Sequence, residues 1–296
     1  MLTVKEFYQG YQADYYAYRQ LRLKKELDDL SNKKSEPTQM DIYDYSVDDH
    51  ARSIKIDIRQ TYFQAIETVF ELIFSFRPIG GTIRDDLVLA NLIKKKDHYE
   101  DIRNFAAGSG GLNFLEEIVE FEGGVSLPAV QYIFYGLLTN DQLKGRIDES
   151  LLAIRKILKI LAADISDRKE YNAYKHGLRI FPVSSYFSLH DHKTMEEIIK
   201  WDLRDSMSYI EHDEKTGRID IVTKLFDPMR DHNLTIMCNN LISNMIMIRR
   251  SSYNEKGKMI CIMPFDRQEV DQQSKSNVKL QDLKFSSTPI RMNQQI

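Results

Sequence analysis

Apolar positions along this chain recur mostly at three- and four-residue intervals, the spacing that lines one side of an α-helix. Residues 4–30 read as one long, aromatic-rich helix without proline, weakened locally by Gly10. The polar stretch SNKKSEPTQMD breaks it. The next helix begins after Val47-Asp48-Asp49 and runs to about Phe76, with Ile54, Ile58, Tyr62, Ile66, Val69 and Ile73 on one buried stripe. Pro78 and Gly80-Gly81 stop it. IRDDLVLANLIKKKDHYEDIRNFAA, LNFLEEIVEFEGG and VSLPAVQYIFYGLL read as further helical segments, the last with Pro128 in its first turn. The clearest element carries Ile147, Leu151, Ile154, Leu158, Leu161 and Ile165 and is expected to continue to His176, with Gly177 as its C′ residue.

Beyond Gly177 the pattern changes. LRIFPVSSYFSL is extended in character, although Pro182 bars an uninterrupted central strand. In HDHKTMEEIIKW, Asp191 or Thr194 reads as a helix cap, and Thr194 with Glu197 makes a capping-box pattern. SMSYIEHDEKTGRIDIVTKLF reads as two strands around a turn, DHNLTIMCNNLISNMIMIRRSSY as a long helix, and GKMICIMPF as another strand. The expected fold is mainly α: a long-helix bundle with a small antiparallel β insertion near the C-terminal third. One domain covers 1–265, with the insertion at about 178–226 and 257–265. Residues 266–296 form a polar, weakly structured tail that can dock through VKLQDLKF. No βαβ repeat is evident, which excludes a doubly wound sheet.

Composition narrows the picture without naming a ligand. The 296 residues are 42% hydrophobic, enough for a sizeable core. A formal net charge of -3 provides no overall basic field for nucleic acid. Cys238 and Cys261 form neither a disulfide framework nor a zinc spacing. No apolar run spans a bilayer, and the N-terminal residues carry no signal-peptide pattern, so the expected location is cytoplasmic, with no membrane partner.

Candidate chemistry concentrates in DRKEYNAYKHG, residues 167–177. Arg168, Asn172 and His176 lie four apart and follow one flank of a helix. A neutral His176 can take a proton from an RNA 2′-hydroxyl, and its imidazolium can return one to the 5′-oxygen. Arg168 or Lys175 can hold the scissile phosphate, and Asn172 can orient either group. The Asn172-to-His176 spacing, late in a long bundle helix, resembles part of the signature of the HEPN superfamily. The resemblance implies a helical bundle, often dimeric, that acts as a metal-independent ribonuclease or, where the motif is lost, as a binding or scaffold protein. The family's arginine position holds Tyr171 here, and Arg168 stands three residues earlier.

A structural reading stands beside this one. Arg168 and Lys175 suit the negative end of a helix dipole, His176 can bond a terminal carbonyl, and the tyrosines can pack. HDH offers His190 and His192 as metal-ligand candidates, which point the same way in an extended chain but lack an assigned third ligand. Asp57, Glu67 and Glu71 share a helix, yet no Glu-x-x-His motif completes a ferritin-like site. Three classes therefore stay open. The first is an interaction or binding protein on a HEPN-like bundle, with a protein or RNA partner or a second copy of itself. The others are a dimeric metal-independent endoribonuclease and a metal-assisted hydrolase using His190 and His192. No cofactor is implied.

Overall fold

The computed structural model describes residues 3–32, 38–40, 43–45, 47–94, 97–138, 141–175, 180–181, 186–213, 218–253, 262–278 and 282–287. Its helices are α1 (Val4–Gly10), α2 (Tyr15–Asn32), α3 (Val47–Ser75), α4 (Val88–Ile93), α5 (Tyr99–Ala106), α6 (Ala129–Tyr135), α7 (Asp141–Ile165), α8 (Arg168–Lys175), α9 (Pro228–Ser252) and α10 (Arg267–Gln273). Its strands are β1 (Thr38–Met40), β2 (Tyr43–Tyr45), β3 (Ile118–Phe121), β4 (Val125–Pro128), β5 (Ile180–Phe181), β6 (Tyr186–His190), β7 (Glu197–Asp202), β8 (Ser206–Asp213), β9 (Arg218–Leu225) and β10 (Asp282–Ser287). The fold is a mainly α, multi-helix bundle with an antiparallel β region in the C-terminal third, as the periodicity predicts.

The chain divides into two compact units, and α2, α3 and α9 each contribute to both. The first unit comprises Met1–Arg22, Thr61–Ser166 and His232–Lys275. Its core is the set of helical stripes legible in the sequence. Ile66, Val69 and Ile73 of α3, Ile154, Leu158 and Leu161 of α7, and Leu241, Ile242 and Met245 of α9 are all buried. Burying each such aliphatic side chain contributes about 1.5–3 kcal/mol. Polar groups inside this core are tied to partners. Tyr62 donates its hydroxyl to Asp164 at 2.5 Å, and Gln20 donates to Thr235 at 3.0 Å. Arg249, 1% exposed, donates to the carbonyls of Tyr132, Ile133 and Met245 and lies over the rings of Phe76 and Tyr132. Two of those carbonyls belong to α6: the buried cation satisfies the Ile133 carbonyl and adds a second donor to the Tyr132 carbonyl, which also accepts the Gly136 amide.

The second unit comprises Leu23–Gln60, Asp167–Asp231 and Ser276–Ile296. Leu23 and Leu30 of α2 pack with Ile54 and Ile58 of α3. A four-stranded antiparallel sheet runs in the order β10-β9-β8-β5. Ala173 of α8 packs on Tyr209 and Val222, which share one face of this sheet. The hairpin β6–β7 forms its own two-stranded sheet.

Several local readings are corrected. The first helix is two helices: α1 ends at Gly10, and Tyr11 adopts an extended conformation. The segment IVEFEGGVSLP forms β3–β4 rather than a helix. Gly123 and Gly124, with φ of 86° and 78°, close the turn that pairs Phe121 with Val125. Pro128 lies at the N-cap of α6, not inside its first turn. HDHKTMEEIIKW forms the β6–β7 turn and β7. Asp191 accepts the amides of Lys193 and Thr194, Met195 takes a left-handed φ of 58°, and Asp191 donates its amide to the Glu196 carbonyl. That turn uses Asp191 as an Asx cap, and the β-branched pair Ile198-Ile199 extends into a strand. The segment expected to be a loose tail contributes α10 and β10. β10 is the DLKFSS part of the docking stretch and pairs with β9 along its full length. Of the strand expected at 257–265, residues 257–261 lie outside the described residues, and 262–265 are irregular.

Candidate functional site

The helix carrying the candidate motif is separate from the bundle helix before it. α7 ends at Ile165 and α8 begins at Arg168. Ser166 turns its hydroxyl back to the Ala162 carbonyl at 2.6 Å, and Asp167 starts the new helix. The Asp167 carboxylate accepts the amides of Lys169 and Glu170, both at 3.1 Å, as an N-cap does. Burial by itself would raise the Asp167 carboxyl. Those amides and the Lys224 ammonium, 3.1 Å away, outweigh it and hold the group below its ordinary range.

α8 presents one side to the interior. Glu170, Ala173 and Tyr174, spaced by three and four residues, are all buried. Glu170 meets Arg59 of α3, whose Nη2 and Nε donate to it at 2.8 and 3.2 Å. The same guanidinium donates through Nη1 to both oxygens of Asp231, at 2.9 and 3.1 Å. Asp231 is fully buried, in the first turn of α9. Arg59 also lies over the ring of Phe226, 5.6 Å from its centroid. Burial alone would push the Arg59 guanidinium down; the Asp231 and Glu170 carboxylates reverse that and hold it firmly charged. Tyr174 is buried beside this cluster. Its hydroxyl is pushed far above the ordinary phenol range, by burial first and then by Glu170. The Tyr174 carbonyl accepts from Gln60 at 3.4 Å.

On its other side, α8 carries Tyr171 and Asn172, both half-buried, and Lys169, which pairs with Glu211 at 3.0 Å. Arg168 and Asn172 fall one helical turn apart in the same helix, as the sequence predicts. Lys175 is the last residue of α8. The side chains of Arg168 and Lys175, and the whole of His176, lie outside the described residues. The structure therefore brings Asn172 onto a helix with the Arg168 backbone. It also reveals Arg59 and Asp231, which no local pattern links to the motif. The signal available in the sequence was only that Glu170 would fall on the same side as Ala173 and Tyr174.

His190 and His192 lie at the turn of the β6–β7 hairpin. The ring of His190 is within hydrogen-bond distance of Ser188 Oγ, at 3.1 Å, and of the Met195 carbonyl, at 3.2 Å. His192 is exposed in the turn. Among the described residues, no group of three or more His, Cys, Asp or Glu side chains could hold a metal ion. Glu71 lines a cavity of about 240 Å³ with Arg77, Lys94 and His98, and the His98 ring stacks on Phe74 at 3.9 Å.

The hairpin itself is apolar where a surface hairpin is usually polar. Tyr186, Leu189, Met195, Ile198 and Ile199 are 55%, 43%, 73%, 62% and 39% exposed. Phe187 and Trp201, directly opposite one another, stack at 5.3 Å. Among the described residues no helix is long and apolar enough to cross a membrane. Compared with known proteins, the chain matches no family model, curated protein or solved structure.

Proposed function

We propose that this chain is an interaction protein built on a HEPN-like helical bundle. The observation that carries the reading is the β6–β7 hairpin, which holds five large apolar side chains in water on a two-stranded element. Large apolar side chains left exposed together on one hairpin support an association role. The candidate motif supports the same reading. The inward side of α8 is committed to the fold through Glu170, Ala173 and Tyr174, and Tyr171 stands where the resembled nucleases carry arginine. The metal-independent endoribonuclease remains the second reading, because α8 sets Arg168 one turn before Asn172.

The test has two arms. RNA incubated with the purified chain in EDTA is expected to stay intact, and native mass spectrometry is expected to show a defined complex, with itself or with another protein. Cleavage that leaves 2′,3′-cyclic phosphate ends and stops in a folded His176→Ala variant would replace the interaction role with the nuclease. A chain with neither complex nor cleavage would refute both.

A further inference from the structure

We propose that the cavity at the carboxyl end of α3 binds a small organic carboxylate with an apolar body. The site is separate from the β6–β7 hairpin and does not rest on the interaction role above. Its lining lies wholly within the first unit. Glu71, Phe74 and Ser75 reach it together because their spacing sets them on one side of α3, in its last turn and a half. Asn91 and Leu92 of α4 join them, with Lys94 just past the end of that helix and His98 just before α5. The space measures about 240 Å³. At about 30 Å³ for each water-sized group it holds roughly eight such groups, the scale of a small metabolite.

Two cations at this cavity have no close partner. Arg77 lies over the Phe114 ring, 5.1 Å from its centroid, and its contact to Asp101 is 3.9 Å long, beyond a hydrogen bond. Among the described residues the guanidinium donates no hydrogen bond, so stacking holds its planar fork in place while its donors stay unused. Lys94 makes no ion pair among the described residues. A fork of this kind suits a carboxylate, which it can meet through two parallel bonds. A buried aromatic stack stiffens the surroundings: Phe74 packs 5.8 Å from Phe114 and 3.9 Å from the His98 ring. The carbonyl end of α3 would oppose an anion here. Asn91 occupies the Ser75 carbonyl at that end, donating Nδ2 to it at 3.0 Å.

Charge decides the class of ligand. Arg77 and Lys94 bring two positive charges to the lining and Glu71 brings one negative, which leaves a single positive excess when His98 is counted as neutral. A carboxylate supplies the one negative charge that balances it. A phosphate monoester carries about 1.5 to 2 negative charges, so part of its charge would stand uncompensated in the same cavity as Glu71. The rest of the lining is apolar, from Phe74, Pro78, Ile79 and Leu92. Ile79 is 56% exposed, and a ligand body laid on it removes that surface from water. Apolar walls with a few placed polar groups are the usual build of a small-molecule site.

Isothermal titration calorimetry of the full chain with phenylacetate and with isovalerate tests this. At least one should bind with a Kd of about 1 mM or tighter, within reach of ligands this small. Phenylacetamide keeps the shape of phenylacetate without its charge, and should bind at least about tenfold more weakly. Arg77→Gln and Lys94→Gln should each weaken the carboxylate at least about fivefold, and Glu71→Gln should tighten it about twofold by removing the opposing charge. All three positions are exposed, and unchanged melting curves will show that the fold is retained. No binding of either carboxylate, amide binding equal to the acid, indifference to Arg77→Gln, or weaker binding in Glu71→Gln would each overturn the site. Phenyl phosphate binding about tenfold tighter than phenylacetate would overturn the carboxylate class.

Discussion

Replacing Arg59 with methionine isolates what the buried cluster beneath α8 contributes. The parent guanidinium holds two carboxylates, Glu170 and Asp231, whose side chains are 5% and 0% exposed, while its own is 12% exposed. Methionine fills similar space but removes the nearest cation from both buried carboxylates, leaving Asp231 a longer contact to Arg230 at 3.9 Å. Breaking a buried ion pair from one side costs about 3–5 kcal/mol, because the remaining charge loses its partner and stays desolvated. In a protein of this size that lowers the melting temperature by roughly 6–20 °C. Arg59→Lys keeps the charge but cannot reach both carboxylates with a planar fork, so it should fall between the two. Adding Asp231→Asn to Arg59→Met removes one stranded charge and should recover part of the loss, a coupling that a double-mutant cycle reads directly. The assay is urea unfolding followed by circular dichroism. An Arg59→Met variant within about 0.5 kcal/mol of the parent at neutral pH would refute the assignment of Arg59 as the tie between α3, α8 and α9.

Three further outcomes follow from the geometry. Arg249→Met strands the Ile133 carbonyl, takes one of two donors from the Tyr132 carbonyl and removes the cation over Phe76; a loss of about 2–4 kcal/mol in urea unfolding is expected, with less than half recovered by Arg249→Lys. Gly111 has a φ of 87°, and a methyl group there would sit 1.9 Å from the Asp101 carbonyl oxygen, so Gly111→Ala should cost more than about 3 kcal/mol or prevent folding. Gly123→Ala, at a similar φ but in open space, should cost only about 1 kcal/mol, and comparing the two melting curves separates steric contact from backbone strain. The Asp167 carboxyl is held below its ordinary value of 3.8, so the folded chain binds that proton less readily than the unfolded chain. Its stabilisation is present above the unfolded value and is lost as pH falls through the folded one. Hydrogen exchange at the Lys169 and Glu170 amides should show protection at about pH 5 that declines below about pH 4, and Asp167→Asn should remove this pH dependence.

The long helices were legible because their information is local. The stripe from Ile54 to Ile73 and the stripe from Ile147 to Ile165 repeat with the helical period, and both are buried. The strands β8 and β9 were legible for the same reason, since their apolar and β-branched runs flank a turn. The candidate motif was legible only in part. That Arg168 and Asn172 fall one turn apart on a helix follows from spacing alone. The motif's inward anchor does not, because Arg59 lies 111 residues from Glu170 and 172 from Asp231.

Sequence by itself thus determined which segments could hide an apolar side, and with that the mainly helical class. Tertiary structure decided where those segments stop and what they serve. The helix expected to run through to His176 breaks at Ser166 and Asp167, where a carboxylate cap competes with continuation. Thr194 and Glu197 had the spacing of a helix start, yet the Asp191 turn and pairing with Tyr186–His190 drew them into a hairpin. Periodicity reports the preferences of neighbouring residues. Ion pairs and strand pairs are settled between residues far apart in the chain, where the free energy of burying a charge or completing a ladder outweighs a local propensity of a few tenths of a kcal/mol.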